Sequence, residues 1–295
     1  MAIGFSIGNF TFDVQAADEI KIISDNIDDF RHIPTNSNQI NISLRFQISD
    51  SMPQNLGEEL FVAESKDELY FQNIWKVHQY KDIISYSVIY SNHPELESAY
   101  FTYHENRRMV DVFLKPKENI TTLSINPFTH PFGVLILTRL QQVHGGFLIH
   151  GSGVKDGDNG YIFTGVSGMG KSTMAWLWHS LGAEIVNDDR LLISKTEQGY
   201  SFYNTPMPHY NDFAKSAALK AIFLLSQSPI NYCTKIGGVK ALSKVMANFM
   251  QQFFDPKIIA IHLDRTENLI SEIPVYELGF KPDTDVVALV RNLKL

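Results

Sequence analysis

The sequence predicts an α/β domain with a phosphate-binding loop over residues 121–295, preceded by a β-rich domain over residues 1–120. Three observations carry this. From Met1 to about Pro116 the chain consists of short runs of alternating apolar and polar residues separated by turn formers, the pattern of half-buried strands. After Gly146 the texture changes to strand, turn, strand, glycine loop, helix, strand. The loop, Gly165-Val166-Ser167-Gly168-Met169-Gly170-Lys171-Ser172, has two glycines five apart followed by Lys and Ser.

In the first half, Gly4–Phe12, Gln39–Ile48, Glu68–Trp75, Ile83–Tyr90 and Met109–Leu114 read as strands, with turns at Asn36-Ser37-Asn38 and Ser91-Asn92-His93-Pro94. The polar, proline-bearing stretch Lys115–Thr121 marks the boundary. Asn126–Val143 reads as a helix, because Pro127 and Pro131 sit near its start and Val134, Leu135, Leu137, Leu140 and Val143 share one face. Gly145 and Gly146 stop it.

Strands follow at Phe147–Val154 and Tyr161–Thr164, on either side of a turn at Asp156–Gly160. Lys171–Leu181 is a helix burying Met174, Leu177, Trp178 and Leu181, with Gly182 just past its end. Glu184–Val186 is a strand that runs into Asn187-Asp188-Asp189. Further strands are expected at Leu191–Lys195, Tyr200–Tyr203 and Lys220–Leu225, then a long helix from Gly238 to Phe254. Strands at Lys257–His262 and Val275–Leu278 and a short helix at Asp283–Asn292 complete the pattern.

Composition bounds the function. With 44% hydrophobic and 19% charged residues the chain has the makings of a packed core, so disordered, collagen-like and disulfide-scaffold classes drop out. Its 25 Lys+Arg against 32 Asp+Glu give a net charge of -7, which offers no global attraction to nucleic acid or anionic lipid. Neither is expected as a partner. The single cysteine, Cys233, cannot form an intrachain disulfide and reads as a small, partly buried apolar side chain. Met1–Asp13 has neither a basic segment nor a continuous apolar run, and no apolar stretch reaches bilayer-spanning length, so a cytoplasmic location is expected.

The glycine loop carries the strongest chemical signal. Glycines allow successive backbone N–H groups to turn inward and form an anion-binding concavity, to which the following helix adds its positive end. Lys171 can reach the β- and γ-phosphates of a nucleotide, and the Ser172 hydroxyl can ligate Mg²⁺. A chance match in a chain of this length is on the order of one in a hundred at an ordinary glycine frequency. Asp188 and Asp189 close the strand after the loop's helix, where one carboxylate can serve the metal and one can accept a proton. Repulsion between them raises one pKa unless a cation offsets it. His150, in Ile149-His150-Gly151, ends the strand before the loop and can polarise an aspartate or a phosphate.

Taken together, His-Gly, the glycine loop with Lys-Ser, and Asp-Asp-Arg resemble the catalytic domain of the HPr kinase/phosphorylase family, within the group that shares the phosphoenolpyruvate carboxykinase fold. The resemblance is specific over Gly145–Arg190. It implies a mixed sheet of that type, with ATP held by Gly165–Ser172 and the adjoining Thr173, and Mg²⁺ on Ser172 and Asp188. It implies Lys171 on the transferring phosphoryl group, one of Asp188 and Asp189 as base toward a hydroxyl, and His150 beside that carboxylate. In the family the acceptor is a seryl side chain of a small carrier protein, and the reverse phosphorolysis also occurs. This chain has no match for the family's arginine- and asparagine-bearing signature after the Asp pair, or for its downstream Mg²⁺-binding glutamate.

The expectation is therefore an ATP- and Mg²⁺-dependent kinase acting on a hydroxyl, a serine of an unassigned protein or peptide, without phosphorolysis. A non-catalytic ATP-binding scaffold and a small-molecule kinase stay open, as does a homo-oligomer. Thr205-Pro206-Met207-Pro208-His209 reads as a surface connection, and Lys215, Lys220, Lys235 and Lys240 as solvated charges. Phe249, Phe253 and Phe254 read as core.

Overall fold

The computed structural model describes residues 3–23, 30, 39–51, 53, 56–63, 74–128, 131–206, 214–250 and 254–294. The chain is mixed α/β and strand-rich, and it divides into two compact units, Met1–Arg139 and Leu140–Thr205 with Phe213–Leu295. Among the described residues no helix is long and apolar enough to cross a membrane.

The first unit contains β1 (Ile3–Ile7), β2 (Phe10–Ala16), β3 (Ile20–Ile22), β4 (Ile40–Ile48), β5 (Glu58–Ala63), β6 (Ile74–Tyr80), β7 (Ile83–Ile89), β8 (Leu96–His104), β9 (Met109–Pro116) and β10 (Leu123–Ile125). The described strands form one sheet in the order β1-β2-β4-β9-β8-β7-β6-β5, with β10 and β3 paired separately. β2, β4 and β9 run parallel. Alternation in β2 and β4 puts Phe10, Phe12 and Val14, and Ile42, Leu44 and Phe46, in the core.

Gly4–Phe12, expected as one strand, is a hairpin. Gly8 at φ 58 turns the chain, and Ile7 pairs with Phe10. β8 was not foreseen, because buried residues lie on both of its faces and the alternation is lost. The expected turn at Asn36–Asn38 lies outside the described residues. So does the expected strand Glu68–Trp75, apart from the two residues that open β6.

The second unit takes the end of α1 (Phe132–His144), then β11 (Phe147–Asp156), β12 (Asn159–Thr164), α2 (Lys171–Ser180), β13 (Glu184–Asn187), β14 (Arg190–Thr196) and β15 (Gly199–Asn204). It continues with β16 (Ser216–Gln227), β17 (Tyr232–Ile236), α3 (Gly238–Met246), α4 (Pro256–Glu272), β18 (Val275–Phe280) and α5 (Asp285–Arg291). Its sheet runs β12-β11-β14-β15-β16-β18-β17, with β13 on β11, and β12 also pairs with β16. β12, β16 and β18 are mutually parallel, whereas β11 is antiparallel to β12. Consecutive residues of β12 feed two cores. Ile162 packs with Phe202, Ile222 and Leu269, while Phe163 packs with Trp178, Phe223 and Leu278. A strand buried on both faces reads as a continuous apolar run, which is how Tyr161–Thr164 appears in the sequence.

Two expectations here are corrected. Lys257–His262, expected as a strand, opens α4. Its run of isoleucines suits either state, but Asp255 caps the helix by accepting from the Lys257 N–H at 2.8 Å, and Pro256 occupies the first turn. His262, Thr266 and Leu269 then face inward at helical spacing. The long helix expected from Gly238 to Phe254 ends at Met246. Beyond it the backbone lies along β11, with Met250 N–H donating to Leu148 O at 2.7 Å and the Phe249 ring stacked on Phe147 at 4.4 Å. Phe249 is core as expected, and Phe253 lies outside the described residues.

Candidate functional site

The glycine loop links the end of β12 to the start of α2, the strand–loop–helix arrangement that its sequence requires. Gly168 and Gly170 adopt φ of 82° and 93°, which side-chain-bearing residues avoid. At Gly170 a Cβ would also stand 2.8 Å from Phe280 Cζ, so the loop closes onto the end of β18 only because no side chain intervenes. Val166, Ser167 and Gly168 are exposed. A hydrogen bond from Gln227 Nε2 to Gly168 O, 3.0 Å, ties the loop to the end of β16.

Lys171 is buried, and its ammonium folds back under the loop to donate to Gly165 O at 3.0 Å and Val166 O at 3.2 Å. Burial lowers its pKa from the usual lysine value, and the nearby Asp189 carboxylate acts in the opposite sense. Its partners are neutral carbonyls. Ser172 and Thr173 are exposed on the first turn of α2 and have no hydrogen-bond partner among the described residues.

His150 and the acidic pair lie across β11 and β14. His150 and Arg190 are register partners, as are Gly151 and Thr164, so β11 carries His150 beside both the acidic turn and the entry to the loop. Three bonds fix His150. Its N–H donates to Asn248 O at 3.0 Å, its carbonyl accepts from Thr164 Oγ1 at 2.7 Å, and its Nδ1 lies 2.9 Å from Asp189 O. A carbonyl can only accept, so Nδ1 carries the proton and Nε2 is the basic nitrogen. The same Nδ1 lies 3.3 Å from Asp189 Oδ1.

Asn187 shapes the acidic turn, since its Oδ1 accepts from the N–H groups of Asp189 at 2.9 Å and Arg190 at 3.0 Å. Arg190 Nε donates to Asp189 Oδ2 at 3.0 Å. Burial would raise the Asp189 pKa, but the hydrogen bond from His150 and the Arg190 charge outweigh it and hold the carboxyl below its usual range. Asp188 is half-buried and has no hydrogen-bond or ion-pair partner among the described residues.

The structure thus brings His150 and Asp189 into contact, sets Lys171 within the field of Asp189, and leaves Asp188, Ser172 and Thr173 uncommitted. Sequence reasoning missed the supporting residues Asn187, Thr164 and Asn248. Of these only Asn187 had a signal in the sequence, its place directly before the Asp pair at the end of an expected strand. Glu277, a downstream acid on β18, is occupied by Lys240 at 2.8 Å and Lys244 at 2.6 Å, so those two lysines are paired. Cys233 is half-buried against the Phe163–Trp178 core, and burial raises its thiol pKa to about 11, which keeps it protonated and unreactive. Of the Thr205–His209 connection, Met207, Pro208 and His209 lie outside the described residues.

A second feature lies on the other side of the loop. A cleft of about 510 Å³ opens between the loop with the first turn of α2 and the ends of β16 and β18. Met169, Gly170, Thr173, Gln227 and Phe280 are among its walls.

No protein-family model matches this chain, and no curated protein matches it. Among solved structures it is similar to the HPr(Ser) kinase/phosphatase of Coxiella burnetii, with 12% sequence identity and a TM-score of 0.29. That match covers 49% of this chain and 94% of the other.

Proposed function

We propose that the second unit is an ATP- and Mg²⁺-dependent kinase that transfers the γ-phosphoryl group to a hydroxyl, a serine of a protein or peptide. One observation carries the reading. A buried lysine bonded only to carbonyls underlies a glycine loop, and a fixed imidazole–carboxylate pair lies within its field. A buried cation without an anionic partner at a helix N-terminus is suited to a phosphate, whose arrival would relieve its desolvation.

The residues fit a divalent cation as well. The Ser172 hydroxyl and the Asp188 carboxylate are oxygen donors without protein partners, the hard-ligand chemistry that Mg²⁺ takes alongside phosphate oxygens. When bound, the metal would neutralise charge developing on the phosphoryl oxygens. The protein's own work is positioning. Loop N–H groups and Lys171 hold the triphosphate in line. His150, its tautomer fixed by Asp189, presents Nε2 to take the hydroxyl proton, and Asp189 stabilises the imidazolium that forms. This assigns Asp189 to orienting the base and Asp188 to the metal.

The test is calorimetric titration of the full chain with ATP and Mg²⁺, followed by transfer of labelled γ-phosphate to serine-containing peptides. Binding is expected, and Lys171→Ala should weaken it roughly 100-fold, the loss of charge-assisted bonds to phosphate. A chain that binds no nucleotide would remove the whole reading.

A further inference from the structure

The cleft beside the glycine loop lies at the carboxyl ends of the parallel strands β12, β16 and β18. In open α/β sheets, ligands favour the crevice beyond those ends. Thr164 is level with Leu224, so β16 runs on past β12 to Gln227, where it pairs with Phe280 at the end of β18. The projecting ends form a wall facing the loop and the first turn of α2. His150, on β11, and Asp188 and Asp189, beyond it, lie on the opposite flank. A triphosphate held by the loop with its γ end toward those residues points its nucleoside end toward the cleft.

The cleft is mixed in character. Phe280 is buried, and Pro229 and Pro282 stiffen its rim. Asn231 clamps the far lip, since its Oδ1 accepts from Lys281 N at 3.0 Å and its Nδ2 donates to Asp283 at 2.9 Å. Two polar groups face the space with spare capacity. Gln227 has its Nε2 committed to Gly168 O, which orients the amide and leaves Oε1 as an acceptor without a partner among the described residues. Ser228 Oγ accepts from Ile230 N at 3.3 Å, so its own proton is available to donate.

We propose that this cleft is the base subsite of the nucleotide, and that Gln227 and Ser228 select adenine over guanine. The proposal rests on the nucleotide-binding reading above. Adenine offers an exocyclic N–H donor next to a ring-nitrogen acceptor, which complements the acceptor Gln227 Oε1 and the donor Ser228 O–H. Guanine offers the reverse order, a carbonyl acceptor next to an N–H donor, and would set its carbonyl against Gln227 Oε1, acceptor against acceptor. At about 510 Å³ the space admits a planar bicyclic ring with part of its sugar and excludes a protein side of any extent.

The experiment compares Mg²⁺ complexes of ATP, GTP and inorganic tripolyphosphate by calorimetry on the full chain. ATP is expected to bind at least roughly tenfold tighter than GTP, the discrimination that a polar group left unpaired once the base covers it supplies. It should also bind tighter than tripolyphosphate. Ser228→Ala and Gln227→Leu, both accessible positions, should narrow the ATP-to-GTP ratio to within about threefold. If tripolyphosphate, ATP and GTP bind alike, the base subsite is overturned while the phosphate-binding loop stands. A preference for GTP overturns the adenine assignment. If none of the three binds, the inference falls together with the function it rests on.

Discussion

On the β11/β14 flank of the glycine loop His150, Asp189, Arg190 and Asn187 are bonded into one connected set, with Asp188 beside it. On the β16/β18 flank the walls are Phe280, the prolines and Met169, and the polar atoms that face the cleft keep free valences. One flank holds charged and polar groups in fixed positions, as a reacting centre requires, whereas the other offers shape and a few directional contacts, as a recognition pocket requires. Both arise from one strand polarity. Parallel β16 and β18 end together, three residues past the end of β12, and antiparallel β11 delivers His150 from the other direction.

The largest effects that test this contrast lie on the charged flank. His150→Ala and Asp189→Asn should each lower phosphoryl transfer by about 100-fold or more, the range for removing or disorienting a general base. Nucleotide affinity should stay within about threefold, since neither residue faces the cleft. Separate measurement of KM and kcat, with direct titration of nucleotide, checks the split. A parallel loss of affinity would mean that the two flanks are not functionally distinct. Asp188→Asn should behave differently, with its defect deepening as Mg²⁺ is diluted.

The next effect lies on the recognition flank. Gly170→Ala forces a Cβ to φ 93° and to 2.8 Å from the Phe280 ring. It should destabilise the second unit by about 1–3 kcal/mol through backbone strain, read as a lowered urea midpoint. The displaced Phe280 should also weaken ATP more than tripolyphosphate. Gly168→Ala is the control, because a Cβ there meets open space although φ is 82°. If both variants behave alike, the close approach of loop and β18 is unimportant and only backbone strain matters.

These flanks were unequally legible in the sequence. The loop and the Asp pair are local motifs, and a strand–loop–helix forms wherever such a run lies between an apolar strand and an amphipathic helix. His150 was visible as a residue, but its contact with Asp189 depends on the β11–β14 register, which no local pattern encodes. The cleft was not visible at all, because Gln227 and Phe280 meet through pairing between strands some fifty residues apart. The mistaken strand at Lys257–His262 has a related cause. A short isoleucine run fits both states, and the deciding contacts of His262, Thr266 and Leu269 lie further along the helix. In the first unit, β4 was read from alternation because one of its faces is covered, whereas β8 is buried on both faces and escaped.

The smallest effect concerns protons. Asp189 has its folded-state pKa held below the unfolded value of about 3.9, so the unfolded chain takes up this proton first as pH falls. The resulting stability is present in full above the unfolded value and is lost as pH drops through the folded one. The Asp189 carboxylate is 35% exposed, so solvent screening limits the effect to at most about 1 kcal/mol. Urea midpoints of the wild type and Asp189→Asn should therefore differ most near pH 6 and converge toward pH 3. On the other flank Gln227 and Ser228 carry no titrating group, so Ser228→Ala should show a pH-independent difference over the same range. A difference for Asp189→Asn that stays constant with pH would mean that His150 and Arg190 do not hold this carboxylate ionised, and the contrast between the flanks would lose its electrostatic basis.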